Sequence, residues 1–206
     1  MGHYESFKQE CRLEIDAMGE DESLAVNTCK WFNSANLNKY SYHFDWLGRP
    51  IIQYPQDMVA MMELIWQIKP DLIIETGIAH GGSLIMNASM LALLDMCDAI
   101  EAGTSIDPSV SKRKVLGIDI DIREYNRSAI ESHPMSSRIQ MIQGSSTDKD
   151  IIEKVYEISE QYKTIMVSLD SNHTHEHVLA ELDAYAPLTS LNSYCIVFDT
   201  IIEDMP

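Results

Sequence analysis

The sequence predicts an α/β protein built around one doubly wound, mostly parallel β-sheet. Five short apolar runs alternate along the chain with stretches in which apolar residues recur at helical spacing. Such alternation is typical of parallel strands joined by right-handed crossovers, which gather the carboxyl ends of the strands at one edge. Four of the five runs end in, or lead directly into, an acidic residue: Glu75, Asp119, Asp170 and Asp199. We therefore expect an acidic edge, and folds of this type bind their ligands there.

The predicted elements follow from apolar periodicity and from Gly and Pro punctuation. Strands are expected at 71–75, 114–119, 139–143, 164–169 and 194–199. Helices are expected from the N-cap Asp57 to a stop at Pro70, and at 83–94, 149–162 and 175–185. Loops are expected at 44–55 and 102–112. We divide the chain into an N-terminal arm of one or two helices (1–45) and a ligand-binding domain (46–206).

Composition restricts the class of protein. A chain of 206 residues that is 45% hydrophobic and 23% charged is typical of one soluble globular domain. The net charge of −17 disfavours phosphate-backbone contacts, so we expect no nucleic-acid partner. No apolar run approaches the roughly 20 residues that span a bilayer, and the N-terminus lacks a signal-peptide pattern. We expect a cytoplasmic protein whose four cysteines, without C-x-x-C spacing, are reduced.

A glycine-rich turn separates the first predicted strand from its helix. Gly77, Gly81 and Gly82 allow backbone amides to approach a ligand closely. The turn departs from the G-x-G-x-x-G pattern of dinucleotide sites, because Ala79 replaces a glycine and the acid Glu75 precedes the turn. A carboxylate there would repel a pyrophosphate but would attract the amino group of a methionine moiety. These features favour S-adenosylmethionine (SAM) as the ligand.

Two further strand ends complete the predicted SAM site. Asp119 is placed to accept the ribose hydroxyls of an adenosine. Gly144, Ser145 and Ser146 follow the third strand and could hydrogen-bond the adenine edge. Plain turn geometry would also explain the glycines, and helix capping would explain the serines. The predicted cofactor-binding residues are Glu75, Gly77, Gly81, Ser83, Asp119, Gly144, Ser145 and Ser146.

A dense cluster of candidate metal ligands follows the fourth strand: Asp170-Ser171-Asn172-His173-Thr174-His175-Glu176-His177. In one interpretation the three histidines bind zinc, although no H-E-x-x-H motif is present. In the other, acidic residues at two strand ends bind magnesium, and His173 is the general base. A solvated helix start would explain the histidines without any metal. We favour the magnesium interpretation, because it accounts for residues from more parts of the chain.

The magnesium interpretation takes its oxygen ligands from two neighbouring strand ends. Asp170 and Asp199 are the predicted ligands, and Glu203 and Asp204 are further candidates. Such an ion could hold a substrate hydroxyl against the cofactor while His173 removes the hydroxyl proton.

At these residues the sequence resembles the cephalosporin hydroxylase and rhamnosyl O-methyltransferase family, from about residue 44 to the end. The resemblance rests on Trp46-Leu47-Gly48-Arg49-Pro50-Ile51, Glu75-Thr76-Gly77, Gly81-Gly82-Ser83, Gly117-Ile118-Asp119-Ile120-Asp121-Ile122-Arg123, Gly144-Ser145-Ser146, Asp170-Ser171-Asn172-His173 and Phe198-Asp199-Thr200. It implies a Rossmann-like class I fold and metal-assisted methyl transfer from SAM to a hydroxyl of a sugar, glycolipid or glycosylated natural product. It also implies Asp170 as metal ligand and His173 as base. We further expect a homo-oligomer.

The sequence departs from this family in two respects. Relatives carry two adjacent acidic or amide ligands at the fifth strand, whereas Asp199 lies between Phe198 and Thr200. The chain ends at Pro206, so we expect the sheet to lack the last two strands of class I methyltransferases or to complete its edge otherwise. Three alternatives stay open: a non-catalytic subunit with an exposed sheet edge, an NAD-dependent oxidoreductase, and an iron oxygenase site.

Overall fold

The structure, a computed structural model, describes residues 2–201. The chain forms two compact units, one extending to Tyr40 and one beginning at Ser41. The assignment of separate roles to 1–45 and 46–206 stays a prediction.

The N-terminal unit consists of two helices, α1 (His3–Glu20) and α2 (Glu22–Asn36). Asp21 caps α2, because its Oδ1 accepts hydrogen bonds from the backbone amides of Ser23 (2.9 Å) and Leu24 (3.0 Å). Within residues 2–201, neither helix buries a single residue. The apolar side chains of this unit are therefore largely accessible to solvent.

The second unit begins with a short hairpin. β1 (Phe44–Trp46) pairs antiparallel with β2 (Arg49–Ile51). Leu47 and Gly48 form the two-residue turn with φ values of 47° and 84°, as primed hairpin turns require. The prediction of a loop over 44–55 is wrong here, because Gly and Pro in this segment mark a hairpin turn and a helix start.

The helix after the hairpin, α3 (Pro55–Ile68), begins two residues before the predicted N-cap. Tyr54 is the N-cap, Pro55 is the first helical residue, and Asp57 lies in the first turn. Proline suits this position because the first helical N–H has no partner within the helix. The helix ends before Pro70, as the sequence predicts, with Lys69 in the left-handed conformation (φ 51°).

The main sheet is parallel throughout, with the order β5-β4-β3-β6-β7, and it confirms the predicted α/β fold class. Its strands are β3 (Leu72–Thr76), β4 (Lys114–Asp119), β5 (Ile139–Gln143), β6 (Ile165–Leu169) and β7 (Cys195–Val197). The chain moves outward from β3 through β4 to β5 and then returns to the other side of β3. The switch point lies between β3 and β6, and doubly wound sheets bind ligands in the crevice at this point.

Helices cover both faces of this sheet. They are α4 (Gly82–Ala102), α5 (Glu124–Glu131), α6 (Lys149–Ser159) and α7 (His175–Tyr185). Alternate residues of β3 enter two separate cores, as the pleat of a strand requires. Ile73 packs in a cluster with Leu84 of α4, whereas Leu72 and Ile74 pack in a cluster with Tyr185 of α7.

Among the described helices, α4 is long and apolar enough to cross a bilayer, by length and composition alone. The prediction that no apolar stretch approaches this length is therefore wrong. Half of the apolar window is buried inside the protein, and Leu84, Leu91 and Leu94 are fully buried. Packing in the core of the second unit accounts for the composition of this helix.

Replacing Gly82 by Ala should destabilise the protein. A Cβ at this position would lie 2.3 Å from the carbonyl oxygen of Pro50 and 2.6 Å from the Cα of Ile51. The hairpin would have to move away from α4, so we expect a loss of about 2–3 kcal/mol in the free energy of unfolding, measured with urea. Gly19→Ala is the control because nothing lies within 4 Å of the added Cβ. Equal losses in both variants would contradict the role of this contact.

Candidate active site

A cavity of about 240 Å³ lies at the carboxyl ends of β3 and β6. The hairpin strand β2 contributes to one wall, and the turn after β3 forms another. Five predicted site residues line it: Gly77, Ser83, Asp170, His173 and Asp199. The other lining residues are Tyr42, Pro50, Ile52, Ile78, Ala79, His80, Gly82 and Ser171. The fold thus brings the glycine turn and two acidic strand ends into one cavity.

The turn after β3 can approach β6 because residue 77 is glycine. Gly77 has a φ of 87°, and an added Cβ would lie 2.0 Å from the carbonyl oxygen of Asp170. β4 holds the turn from the other side, since Oδ2 of Asp119 accepts hydrogen bonds from the amides of Ile78 (2.8 Å) and Ala79 (3.2 Å). Asp119 therefore has a positioning role, and its contact with a ribose stays a prediction.

Arg49 of the hairpin holds the same turn through a second set of contacts. Its Nη2 and Nε donate to the carbonyl oxygen of His80 at 2.6 and 3.0 Å, and Nη2 also donates to Oδ1 of Asn126 at 3.0 Å. Nδ2 of Asn126, a buried residue of α5, donates to the carbonyl oxygen of Ala79 at 2.8 Å. These bonds hold Ala79 at a φ of 46°, which is unusual for a residue with a side chain.

Replacing Arg49 by Met should loosen the turn without emptying the space beneath the hairpin. The carbonyl oxygen of His80 would lose both of its side-chain donors. We expect the amides of Ile78 and Ala79 to exchange their hydrogens at least about tenfold faster, measured by hydrogen exchange with mass spectrometry. Arg123→Met is the control, because that side chain is 62% exposed. Unchanged protection of these amides in the Arg49 variant would refute the role of Arg49 in holding the turn.

Glu75 lies behind the glycine turn and is 1% exposed. Oε1 accepts a short hydrogen bond from Oγ of Ser83, and Oε2 accepts one from Nδ2 of Asn87 at 2.7 Å. Burial raises the pKa of Glu75 to about 7, although these two hydrogen bonds oppose the shift. Both carboxylate oxygens are engaged by the protein, and a contact with the methionine moiety of a cofactor stays a prediction.

The raised pKa of Glu75 makes stability depend on pH. The stabilisation is fully present below the unfolded pKa of 4.5 and is lost as the pH rises through about 7. Glu75→Gln, which is neutral at every pH, should remove this dependence and become more stable relative to the wild type above pH 7 by up to about 3 kcal/mol. Chemical denaturation at both ends of the window measures this difference. The exposed control Glu101→Gln should show no such trend; the same trend there would refute the assignment to Glu75.

Asp170, His173 and Asp199 form one group of metal-ligating side chains within residues 2–201. One ligand atom from each lies within 4.8 Å of the others, and Nε2 of His173 lies 3.4 Å from Oδ2 of Asp199. Burial raises the pKa of Asp170 well above its usual value, and the neighbouring carboxylates of Asp199 and Glu75 raise it further. Nε2 of Gln53 donates to Oδ2 of Asp170 at 2.6 Å and opposes these shifts.

This donor set fits a hard divalent cation. Carboxylate oxygens are the ligands that magnesium prefers, and a cation would offset the repulsion between Asp170 and Asp199. The further candidates Glu203 and Asp204 lie outside the described residues.

The three histidines do not come together as the zinc hypothesis requires. The part of the chain that the structure describes contains no metal-ligating group formed by His173, His175 and His177. Nε2 of His177 instead lies 3.2 Å from Oγ of both Ser146 and Ser171. His177 therefore connects the loops that follow β5 and β6.

The residues after β5 lie outside the lining of the 240 Å³ cavity. Ser146 is 5% exposed, and its carbonyl oxygen accepts a hydrogen bond of 2.5 Å from the hydroxyl of Tyr185. Oγ of Ser145 lies 3.0 Å from Oγ1 of Thr147, and the amide of Gly144 donates to the carbonyl oxygen of Asp119 at 2.9 Å. Their contact with an adenine stays a prediction.

Gly81 is the N-cap of α4 and has the left-handed conformation, with a φ of 82°. A Cβ there would lie 2.4 Å from Cδ1 of Ile130, so glycine allows α5 to pack against this turn. A backbone contact of Gly81 with a cofactor stays a prediction.

Solved structures establish the class to which this fold belongs. A Staphylococcus aureus protein described as a caffeoyl-CoA O-methyltransferase matches with a TM-score of 0.54 and 14% identity, over 95% of this chain and 75% of that one. A CmcI structure with SAH matches with a TM-score of 0.50 and 17% identity, over 78% of this chain and 68% of that one. The chain has the Rossmann-like fold of SAM-dependent methyltransferases.

The sequence narrows this class to one family. The profile of the Rhamnosyl O-methyltransferase/CmcI family matches residues 38–206, and the chain belongs to this family. It is 26% identical over 186 residues to the rhamnosyl O-methyltransferase of Mycobacterium leprae, covering 90% of this chain and 71% of that protein. The rhamnosyl O-methyltransferase of Mycobacterium tuberculosis is 28% identical over 151 residues, and the match spans 73% of this chain and about half (54%) of that protein.

Proposed function

We propose that this chain is a SAM-dependent, metal-assisted O-methyltransferase that acts on a hydroxyl of a sugar, glycolipid or glycosylated natural product. The main supporting observation is that Asp170, His173 and Asp199 share a cavity with the Gly77 turn. Membership of the family and the rhamnosyl O-methyltransferase relatives support the sugar-like acceptor.

The glycine turn and the adjoining strand ends would bind SAM. The start of α4 borders the cavity, and free backbone amides at a helix start can bind a carboxylate such as that of methionine. Asp119 stands at the end of the neighbouring strand β4, where its carboxylate can accept ribose hydroxyls. The adenine would then extend toward Gly144 and Ser145, which follow the next strand outward.

Methyl transfer needs a deprotonated acceptor oxygen in line with the sulfonium. A bond forms between that oxygen and the methyl carbon while the bond from the carbon to sulfur breaks, which leaves SAH. His173 accepts the hydroxyl proton, and the carboxylate of Asp199, 3.4 Å from Nε2, stabilises the resulting imidazolium. Magnesium bound by Asp170 and Asp199 would supply positive charge that favours the ionised acceptor.

Calorimetric titration with SAM tests the cofactor assignment. We expect saturable binding, and we expect Asp119→Asn to weaken the affinity at least about tenfold, because both the turn and the ribose lose a carboxylate. Asp121→Asn is the matched control, since its carboxylate is 68% exposed. A wild-type protein that binds no SAM would refute the proposal and favour the non-catalytic subunit.

His173→Ala should lower turnover while leaving SAM affinity nearly unchanged. Loss of a general base typically costs 10²–10⁴-fold, so we expect a decrease in kcat of at least about 100-fold. Labelled SAM and a panel of sugar, glycolipid and glycosylated natural-product acceptors provide the assay. The exposed histidine variant His43→Ala should retain full turnover. Equal turnover of His173→Ala and wild type would remove the base assignment.

The metal assignment predicts a separate response to magnesium. Asp199→Asn should raise the magnesium concentration needed for half-maximal turnover at least about tenfold, because one anionic ligand is lost. Direct titration of the protein with magnesium checks the affinity independently of turnover. Asp183→Asn, an exposed carboxylate on α7, is the control. Full activity after chelation of divalent ions would contradict metal assistance.

A further inference from the structure

Helix α1 has an apolar stripe that is largely exposed to solvent. The members are three or four residues apart and therefore share one face of the helix: Tyr4, Phe7, Cys11, Ile15 and Met18. Four of them are more than half exposed: Tyr4 (66%), Phe7 (56%), Ile15 (60%) and Met18 (54%). None of the described residues of α1 or α2 is buried, and Cys11 in the middle of the stripe is partly exposed, so most of the stripe is accessible to solvent.

The two margins of this stripe carry opposite charges. At about 100° per residue, Lys8 and Arg12 fall along one margin, and Glu10 and Glu14 fall along the other. Nζ of Lys8 lies 5.8 Å from the centre of the Tyr4 ring, which places this ammonium group directly beside the stripe. The helix therefore has an apolar seam between a basic margin and an acidic margin.

We propose that α1 pairs in parallel with α1 of a second copy of this chain, through the apolar stripe. In a pair related by a twofold axis along the helices, the basic margin of each helix faces the acidic margin of the other, on both sides of the seam. In an antiparallel symmetric pair each margin faces its own copy, so like charges meet. Charge complementarity selects both self-association and the parallel orientation.

This pairing is separate from the proposed catalytic function. The family profile begins at residue 38, after the end of α2, so α1 lies outside the residues that the profile covers. The 18 residues of α1 span about 27 Å. A helix of this length gains its stability mainly from packing of its apolar face. Pairing through the seam would therefore stabilise α1, and the dimer would form in a concentration-dependent way.

Sedimentation of the full chain over a concentration series tests the pairing. We expect the average mass to rise from 23.4 kDa toward twice that value. Ile15→Glu places a charge in the seam and should weaken dimerisation at least about 100-fold. Leu13→Glu is the matched control, because Leu13 is 65% exposed and lies on the opposite face. A monomer at every concentration, or equal effects of the two variants, would overturn the proposal.

Disulfide trapping tests the parallel orientation. With Cys29→Ser present, mild oxidation should link Cys11 to the same residue of the second copy. With Cys11→Ala and Cys29→Ser present, the thiol added by Ile15→Cys should also link to the same position of the second copy. An antiparallel pair centred on Cys11 would instead place position 15 opposite Phe7, so a missing link there would overturn the orientation.

Charge exchange gives an independent test of the two margins. Lys8→Glu with Arg12→Glu makes both margins acidic and should weaken dimerisation at least about tenfold. Adding Glu10→Lys and Glu14→Lys interchanges the margins and should restore dimerisation to near the wild-type value. Failure of this restoration in a folded protein with the wild-type circular dichroism spectrum would overturn the role of the charges.

Discussion

The close approach of Gly77 to the carbonyl oxygen of Asp170 joins the two halves of the candidate site. Residue 77 follows β3 and residue 170 follows β6, the two strands that flank the switch point of the sheet. A side chain at residue 77 would separate the glycine turn from the acidic group, whatever else the sequence contained. Asp119 and Arg49 then hold the turn from β4 and from the hairpin. The proposed cofactor binding and the proposed acceptor chemistry therefore depend on one backbone contact.

The sequence predicts the elements whose apolar residues follow a regular local pattern. β4, β5 and α7 have the predicted bounds: the two strands contain short apolar runs, and α7 has apolar residues at helical spacing. The roles of Arg49, Asn126 and Gln53 have no local signal. Their partners lie 31, 47 and 117 residues away along the chain, at His80, Ala79 and Asp170. Local patterns identify polar residues near a turn, but only the tertiary fold determines which carbonyl or carboxylate each side chain meets.

The acidic residues near the cavity differ in the free energy that it costs to ionise their carboxyl groups. Glu75 is buried and Asp170 is partly buried, and the loss of solvent raises the pKa of each. Asp57 is affected in the same direction, by partial burial and then by the charge of Asp199. Two side-chain donors stabilise the charge of Glu75, whereas Asp170 has one donor, Gln53, and three carboxylate neighbours. Repulsion among these carboxylates lowers the stability of the protein when no cation is bound, and a bound cation would relieve that repulsion.

The strand that precedes Asp199, β7, lies at the edge of the sheet. Within the described residues β7 is three residues long and pairs only with β6, so it is the least supported strand of the sheet. Asp199 lies two residues beyond this strand, whereas Asp170 directly follows β6 in the interior of the sheet. An ion bound by both carboxylates would link the edge strand β7 to the interior strand β6. Occupancy of the site and order of β7 would then rise and fall together, because an ion that binds only when β7 is ordered stabilises the ordered form by an amount that grows with the logarithm of its concentration over its dissociation constant.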